Sequence, residues 1–237
     1  MFIECDALNH IPRLKHASTT KAFNPNPAEK QTELRRLADL WNVSPRSIIY
    51  GNQRHTDNIR FIDEKSISTE SKPFIVCDHT DAVGTDVPNI MLAVYTADCV
   101  PIFLVDIAAR RFALAHSGWR GTLSGIAPKA LQTMRSRGSR PEDIIVWLAP
   151  SIGICCYEVS PELAQTFADA CPNAPDILDG RNLDLRQVIA WQLIQNGIPA
   201  GNIHKSPHCT RCRRDMFYSY RGGDKTGRII NAAMILD

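Results

Sequence analysis

The sequence predicts an α+β fold, or more loosely a mixed α/β one, from three observations. Short apolar runs suited to strands come in pairs, amphipathic helical stretches are interspersed among them, and the regular strand–helix–strand rhythm of a doubly wound sheet is missing. The pairing is clearest in residues 90–125, IMLAVYTADCVPIFLVDIAARRFALAHSGWRGTLSG. Residues 90–96 and 102–105 read as buried strands around the polar pair Asp98-Cys99, and Pro101 is expected to break the ladder. Cys99 therefore belongs at an interruption. A third run, 111–115, ends on His116 and is followed by Ser117-Gly118 and Arg120-Gly121, where glycine lets backbone approach a ligand closely.

The helices follow from caps and periodicity. Asn26 as cap, Pro27 in the first turn and Glu29 three residues on announce a helix whose buried face is Leu34, Leu37, Ala38 and Trp41. A second is expected from near Thr122 to near Gly138, with Leu123, Ile126, Ala127, Ala130, Leu131 and Met134 on one stripe and Pro128 in the first turn. A third starts at Ser160-Pro161, and a fourth runs from Asp184 through Val188, Ile189 and Leu193 to a Gly197 stop. Residues 48–50, 143–148, 203–206, 217–220 and 229–236 complete the expected strands, the last alternating poorly enough to be helical in part.

A chain of 237 residues can bury a substantial core, and the absence of repeats, low-complexity tracts and long linkers favours one domain over residues 1–237. With Lys plus Arg at 27 and Asp plus Glu at 25, nothing in the overall charge demands a nucleic acid or a membrane surface, so neither is expected as a partner and an anion site must be local. The first residues contain no continuous apolar signal region, and no later run approaches the roughly 20 apolar residues of a membrane span. A cytoplasmic protein is expected, with its eight scattered cysteines mostly reduced.

Three groups of residues could carry chemistry. His55, in the NQRH word after the run 48–50, would by itself be a surface histidine; beside Cys99 and His116 it completes a two-imidazole, one-thiolate set that suits Zn²⁺ and leaves the fourth position open. The same Cys99 and His116 could instead be nucleophile and base with Asp98 as orienting carboxylate, or Cys99 could be a small core residue. HCTRC, residues 208–212, offers half of a structural zinc site; the only other close pair, Cys155-Cys156, is adjacent in sequence and hard to fit on one tetrahedral ion. The third group is the basic stretch from Lys205 to Arg228, interleaved with Phe217, Tyr218 and Tyr220, which reads as a solvated face, an anion site or, last, a nucleic-acid surface.

Taken together, TADCVPIFLVD (96–106), AHSGWRGTLSGI (115–126), APSIGICCYEV (149–159), HCTRC (208–212) and FYSYRGGDKTGR (217–228) resemble the bacterial laccase-domain family, also called multicopper polyphenol oxidoreductases, peptidoglycan editing factors and purine nucleoside phosphorylases of the non-classical type. The resemblance runs from about His16 to the C-terminus. It implies a single-domain αββα layered sandwich with mixed sheets, similar to the catalytic domain of cytotoxic necrotizing factor, and one metal site built from His55, Cys99 and His116. It also implies phosphorolysis of adenosine, inosine, guanosine and methylthioadenosine, and deamination of adenosine, with zinc as the ion and copper as the alternative. The family's early HGFSTR-GG word stands here as residues 16–23, HASTTKAF, so Lys21 replaces an arginine; lysine keeps the charge and loses the planar fork.

The first expectation is thus a zinc-dependent purine nucleoside phosphorylase with adenosine deaminase activity, acting on nucleoside and phosphate as a monomer or weak homodimer. Arg120, Arg221 and Lys21 are its candidate phosphate clamp. The alternatives are a cysteine or metal-dependent amidase acting on peptidoglycan precursors and a copper polyphenol oxidase. The oxidase fits poorly, because it needs several coppers and many histidines and only seven histidines exist here, with His10, His79 and His204 outside the motif words.

Overall fold

Strand alternation explains the architecture of the computed structural model, which describes residues 1–24, 29–69 and 72–237. In Ile90–Thr96, Leu92 and Val94 point one way while Met91, Ala93 and Tyr95 point the other, and all five are buried. In Val100–Asp106, Phe103 and Val105 likewise oppose Ile102 and Leu104. A strand buried on both faces must lie between two layers. Here each belongs to a six-stranded mixed sheet, and the two sheets pack face to face.

The first sheet runs in the order Phe2–Ile3, Leu14–Thr19, Ile229–Ile235, Ile90–Thr96, Ser47–Gly51, Phe74–Cys77. The second runs Ile203–Lys205, Ile144–Leu148, Val100–Asp106, Arg111–Ser117, Ala82–Thr85, Ile59–Ile62. Between them lie Leu92, Val94, Phe103, Phe112, Leu114 and Trp147, with the Phe103 and Trp147 rings 4.7 Å apart. Helix Lys30–Leu40 covers the outer face of the first sheet through Leu34, Leu37 and Ala38, against Met91 and Ala93. Helices Ile126–Arg135, Pro161–Ala170 and Leu185–Gln195 cover the outer face of the second, against Ile102, Leu104 and Val146. The layers are therefore helix, sheet, sheet, helix, as the resemblance implied. His16 is part of this core: it is 3% exposed, accepts a hydrogen bond from Cys5 N at 2.9 Å, and is lowered by burial to a pKa of about 4.

Several expected elements differ in detail. Pro101 does not break the ladder; it pairs with His116 inside its strand, and the interruption is confined to residues 97–99. The expected helix from Thr122 is two, Trp119–Leu123 and Ile126–Arg135, because Gly125 turns the chain at φ +75°. Pro128 still falls in a first turn, where its missing N–H costs no bond. Residues 217–220 are irregular rather than a strand: Phe217 N–H donates to Arg213 O and Ser219 N–H to the Asp224 carboxylate, so neither needs a ladder partner. Ile229–Ile235 is a strand throughout, flanked by Leu14–Thr19 and Ile90–Thr96. The Ser160 and Asp184 caps form as expected, whereas the Asn26 and Pro27 cap lies outside the described residues.

Phe103 is wholly buried between the sheets. Phe103→Ala is expected to destabilise the fold by about 3–5 kcal/mol, the cost of a large-to-small change in a packed core, read as a lower urea midpoint at unchanged slope.

Candidate metal centre and active-site cleft

The chain crosses from the first sheet to the second three times near one end of the sandwich: between Ser47–Gly51 and Ile59–Ile62, between Phe74–Cys77 and Ala82–Thr85, and between Ile90–Thr96 and Val100–Asp106. His55 lies in the first crossing, Asp81 in the second and Cys99 in the third, while His116 sits on the adjoining strand opposite Pro101. The ligand atoms of His55, Cys99 and His116 all lie within 4.8 Å of one another, and the two imidazole centroids are 4.8 Å apart. The three residues singled out along the sequence are thus brought together.

Asp81, which the motif analysis missed, organises them. Its buried carboxylate accepts from the backbone N–H of Arg54, His55 and Thr56 at 2.8–3.0 Å, from the Thr56 hydroxyl at 2.7 Å, and pairs with His116 Nδ1 at 2.8 Å. Its own carbonyl accepts the His116 N–H at 2.8 Å. Burial would raise this carboxyl, but the His116 contact and the amide donors hold it well below the usual carboxylate range. His55 adopts a left-handed φ of +59°, a conformation the three Asp81 bonds around it hold in place. The Gln53 side chain adds a second anchor by exchanging two 2.8 Å bonds with the Tyr95 backbone, as a strand neighbour would.

Burial opposes charge on both Cys99 and His116, yet each outweighs it for the other. The His116 charge and hydrogen bonds from both imidazoles bring the Cys99 thiol down to about 6, and the Cys99 and Asp81 anions bring His116 up to about 9. The arrangement fits a divalent cation. Asp81 occupies Nδ1 of His116 and leaves Nε2 for an ion, the usual carboxylate–histidine support of a metal ligand, and the donor set of two imidazoles and one thiolate suits zinc. Gly118 closes against it: a Cβ there would stand 2.8 Å from His55 Nδ1 and 3.1 Å from Cys99 Sγ.

Asp98 does not orient His116. At φ +86° its buried carboxylate turns away to accept from Thr210 Oγ1 at 2.6 Å and Arg221 N at 2.7 Å. The cluster opens on a cleft of about 860 Å³. Arg221 lines it, its guanidinium 4.8 Å from the Tyr157 ring and bonded to Glu158 O at 2.8 Å. Lys21 and Arg120 are not among its lining residues. Lys21 pairs with Asp224 at 3.4 Å, and exposed Arg120 stacks at 4.3 Å on Trp119, which does line the cleft. Two further cations, Lys30 and Arg228, face the cleft together with the rings of Tyr95, Trp119, Tyr157 and Tyr220. Only the basic bias of residues 205–228 pointed toward Arg228, and Lys30 carried no signal beyond its charge.

The sequence pattern described as multi-copper polyphenol oxidoreductase laccase matches residues 16–236. The chain belongs to this family. Among laccase-family relatives it is 35% identical over 200 residues to a protein named adenosine deaminase RL5 from an unknown prokaryotic organism, covering 81% of this chain and 76% of that one. It is 28% identical to a purine nucleoside phosphorylase of Bacteroides thetaiotaomicron, over 97% of this chain and 94% of the other. The crystal structure of YlmD from Geobacillus stearothermophilus superposes with a TM-score of 0.88 at 27% identity, covering 100% of this chain and 96% of that one. The laccase-family fold is therefore shared over the whole chain. No described helix is long and apolar enough to cross a membrane.

Two outcomes follow from this geometry. Asp81→Asn is expected to weaken zinc binding at the triad by about 10–100-fold in competition with a chromophoric chelator, the usual cost of losing a carboxylate behind a ligating imidazole. In chelator-treated protein, iodoacetamide should alkylate Cys99 with an apparent pKa of about 6, because the thiolate predominates above that pH; in His116→Ala the profile should move up toward the ordinary thiol value of about 8.5, read by peptide mass spectrometry.

Proposed function

We propose that this chain, acting as one domain, is a metal-dependent purine nucleoside phosphorylase with adenosine deaminase activity. The carrying observation is the cleft itself, in which the His55, Cys99 and His116 cluster faces aromatic rings on one hand and the cations Lys30, Arg221 and Arg228 on the other. The names of the relatives support the same reading. In this proposal His55, Cys99 and His116 would hold a zinc ion, which when bound would supply Lewis acidity.

The residues of the chain supply the rest. Phosphorolysis forms a bond between a phosphate oxygen and the anomeric carbon while the bond from that carbon to the purine breaks, so positive charge builds on the ribose and negative charge on the base. Partial desolvation and the nearby Arg228 charge both lower the pKa of Lys30, so two like charges line the cleft close enough to repel, and an entering phosphate relieves the repulsion. Arg221 is held for the same task by Glu158 O and by its backbone bond to Asp98. Tyr157, Tyr220 and Trp119 each carry a cation on one face, Arg221, Lys225 and Arg120 respectively, and leave the other for stacking on the purine. In deamination, water adds to the purine carbon bearing the amine and ammonia leaves from the same position.

One observation favours a second reading. Cys99, His116 and Asp81 form a thiolate, imidazole and carboxylate series, so a cysteine amidase acting on a peptidoglycan precursor could use the same atoms. The two are told apart by thiol alkylation. Protection of Cys99 by bound metal, with activity surviving the reagent, supports the ligand role; equal inactivation with and without metal supports the nucleophile.

His116→Ala is expected to remove phosphate-dependent release of hypoxanthine from inosine, followed by chromatography. Arg221→Gln should raise KM for phosphate by about 10–100-fold, since a hydrogen bond to a charged group is worth about 1.5–3 kcal/mol. Full turnover by the first variant would remove the triad from the reaction.

A further inference from the structure

Cys155 and Cys156, expected to be hard to fit on one tetrahedral ion, stand beside both cysteines of HCTRC. The sulfurs of Cys155, Cys156, Cys209 and Cys212 all lie within 4.8 Å of one another, with Cys212 Sγ 3.6 Å from Cys155 Sγ and 3.4 Å from Cys156 Sγ. These distances are far beyond a disulfide bond of about 2.05 Å. They approach the sulfur–sulfur edge of a tetrahedron around zinc, about 3.8 Å for Zn–S bonds of about 2.3 Å. We infer that these four cysteines bind one zinc ion as a structural site separate from the His55, Cys99 and His116 cluster.

The backbone explains how neighbours in sequence converge. Ile144–Leu148 and Ile203–Lys205 are parallel partners, so the chain leaves both strands at the same end of the sheet. Beyond them a parallel bridge joins Ser151 to Cys209, and Thr210 N–H donates to Ser151 O at 3.0 Å. The two loops are thus registered on each other before any sulfur is considered. Cys156 and Tyr157 both donate their N–H to Gly153 O, which bends the chain into a turn. Consecutive side chains alternate in a strand, but in this turn the Cys155 and Cys156 sulfurs reach the same Cys212.

Burial and the neighbouring sulfurs push the Cys155 and Cys156 thiols up, so a thiolate cluster here needs a cation at its centre, and an amide donor and a guanidinium adjoin it. Gly153 N–H donates to Cys209 Sγ at 3.3 Å. A Cβ on Gly153 would stand 3.0 Å from Arg186 Nη2 and 3.4 Å from Cys155 Sγ, so the guanidinium and the thiol flank the same small space. Arg186 is largely buried, bonds Ser206 O at 2.6 Å, and leaves its Nε without a hydrogen-bond partner. Four thiolates around a dication carry a net charge of about −2, and the Arg186 guanidinium, which also lies 3.9 Å from the Asp184 carboxylate, offsets part of it. Binding releases up to four thiol protons to solvent as four S–Zn bonds form, with no change of oxidation state.

Such an ion ties the cleft wall together. Thr210, between the two cysteines of HCTRC, donates to Asp98, and Ile152 N–H donates to Asp98 O at 2.9 Å. Tyr157 follows Cys156 directly and carries Arg221 over its ring. The loops clamped by the ion therefore hold the residue before Cys99 and one side of the cleft.

The test uses the 237-residue chain purified under reductant in the His55→Ala/His116→Ala background, which disables the other cluster. Elemental analysis should find about one zinc per chain, with an X-ray absorption first shell of sulfur alone, and Cys212→Ser in that background should lose it and melt at a lower temperature. Zinc-free protein in which Cys155, Cys156, Cys209 and Cys212 are all alkylated as free thiols by peptide mass spectrometry, a first shell containing nitrogen, or a disulfide between Cys212 and Cys155 or Cys156 would overturn the site. Should Cys212→Ser fail to fold, the shell measured in the background protein still decides.

Discussion

A carboxylate buried in a protein interior must be matched donor for donor, because an unpaired charge there costs far more than any single contact returns. Asp81 meets that demand with three successive amides, one hydroxyl and one imidazole. The bonds that satisfy the carboxylate also shape the site. They bend the chain at His55 into its left-handed conformation and leave only Nε2 of His116 free. Gly51 shows how tightly the two crossings are pressed together, since a Cβ there would stand 2.0 Å from Thr80 O. One carboxylate therefore sets the positions of two of the three candidate ligands, His116 through an ion pair and His55 through backbone hydrogen bonds.

The same end of the sandwich collects the remaining chemistry for a topological reason. A chain that changes sheets must leave one ladder and enter another, and at the crossing its backbone groups need partners that strands no longer supply. Asp81, Asp98 and Gln53 supply them with side chains: Asp81 for residues 54–56, Asp98 for Arg221, and Gln53 for Tyr95. The polar residues that interrupt the apolar runs are accordingly structural and chemical at once. Cys99 sits in the three-residue gap between two wholly buried strands, which carries its thiol from the sheet interior to the cleft.

Much of this was legible in the chain. The apolar runs around Cys99 and before His116 appear as strands, and the Ser160 and Asp184 caps begin helices where expected. Motif resemblance brought His55, Cys99 and His116 together, which their spacing of 44 and 17 residues does not do. What stayed hidden depended on non-local partners. Asp81 stands in a polar stretch, CDHTDAV, with nothing to distinguish it from Asp78 three residues earlier; only the fold shows that one is 1% exposed and the other open to water. Asp98, nearest to Cys99 in sequence, faces away because its backbone is left-handed. Lys21 and Arg120 were chosen for charge and motif, while Lys30 reaches the cleft from a helix whose approach no local pattern encodes. The four cysteines follow the same rule, since parallel pairing of Ile144–Leu148 with Ile203–Lys205 is what unites two halves 53 residues apart.

Asp81 draws His55 and His116 toward Cys99 at a site that lines the cleft and suits a cation. An anomalous difference map from crystals of the wild-type protein, collected on both sides of the zinc absorption edge, tests it most directly. The expected result is a peak bonded to His55, Cys99 Sγ and His116 Nε2, with the Asp81 carboxylate still on Nδ1. An empty triad in zinc-replete crystals, or an ion bound by Asp81 in place of His116, would contradict it.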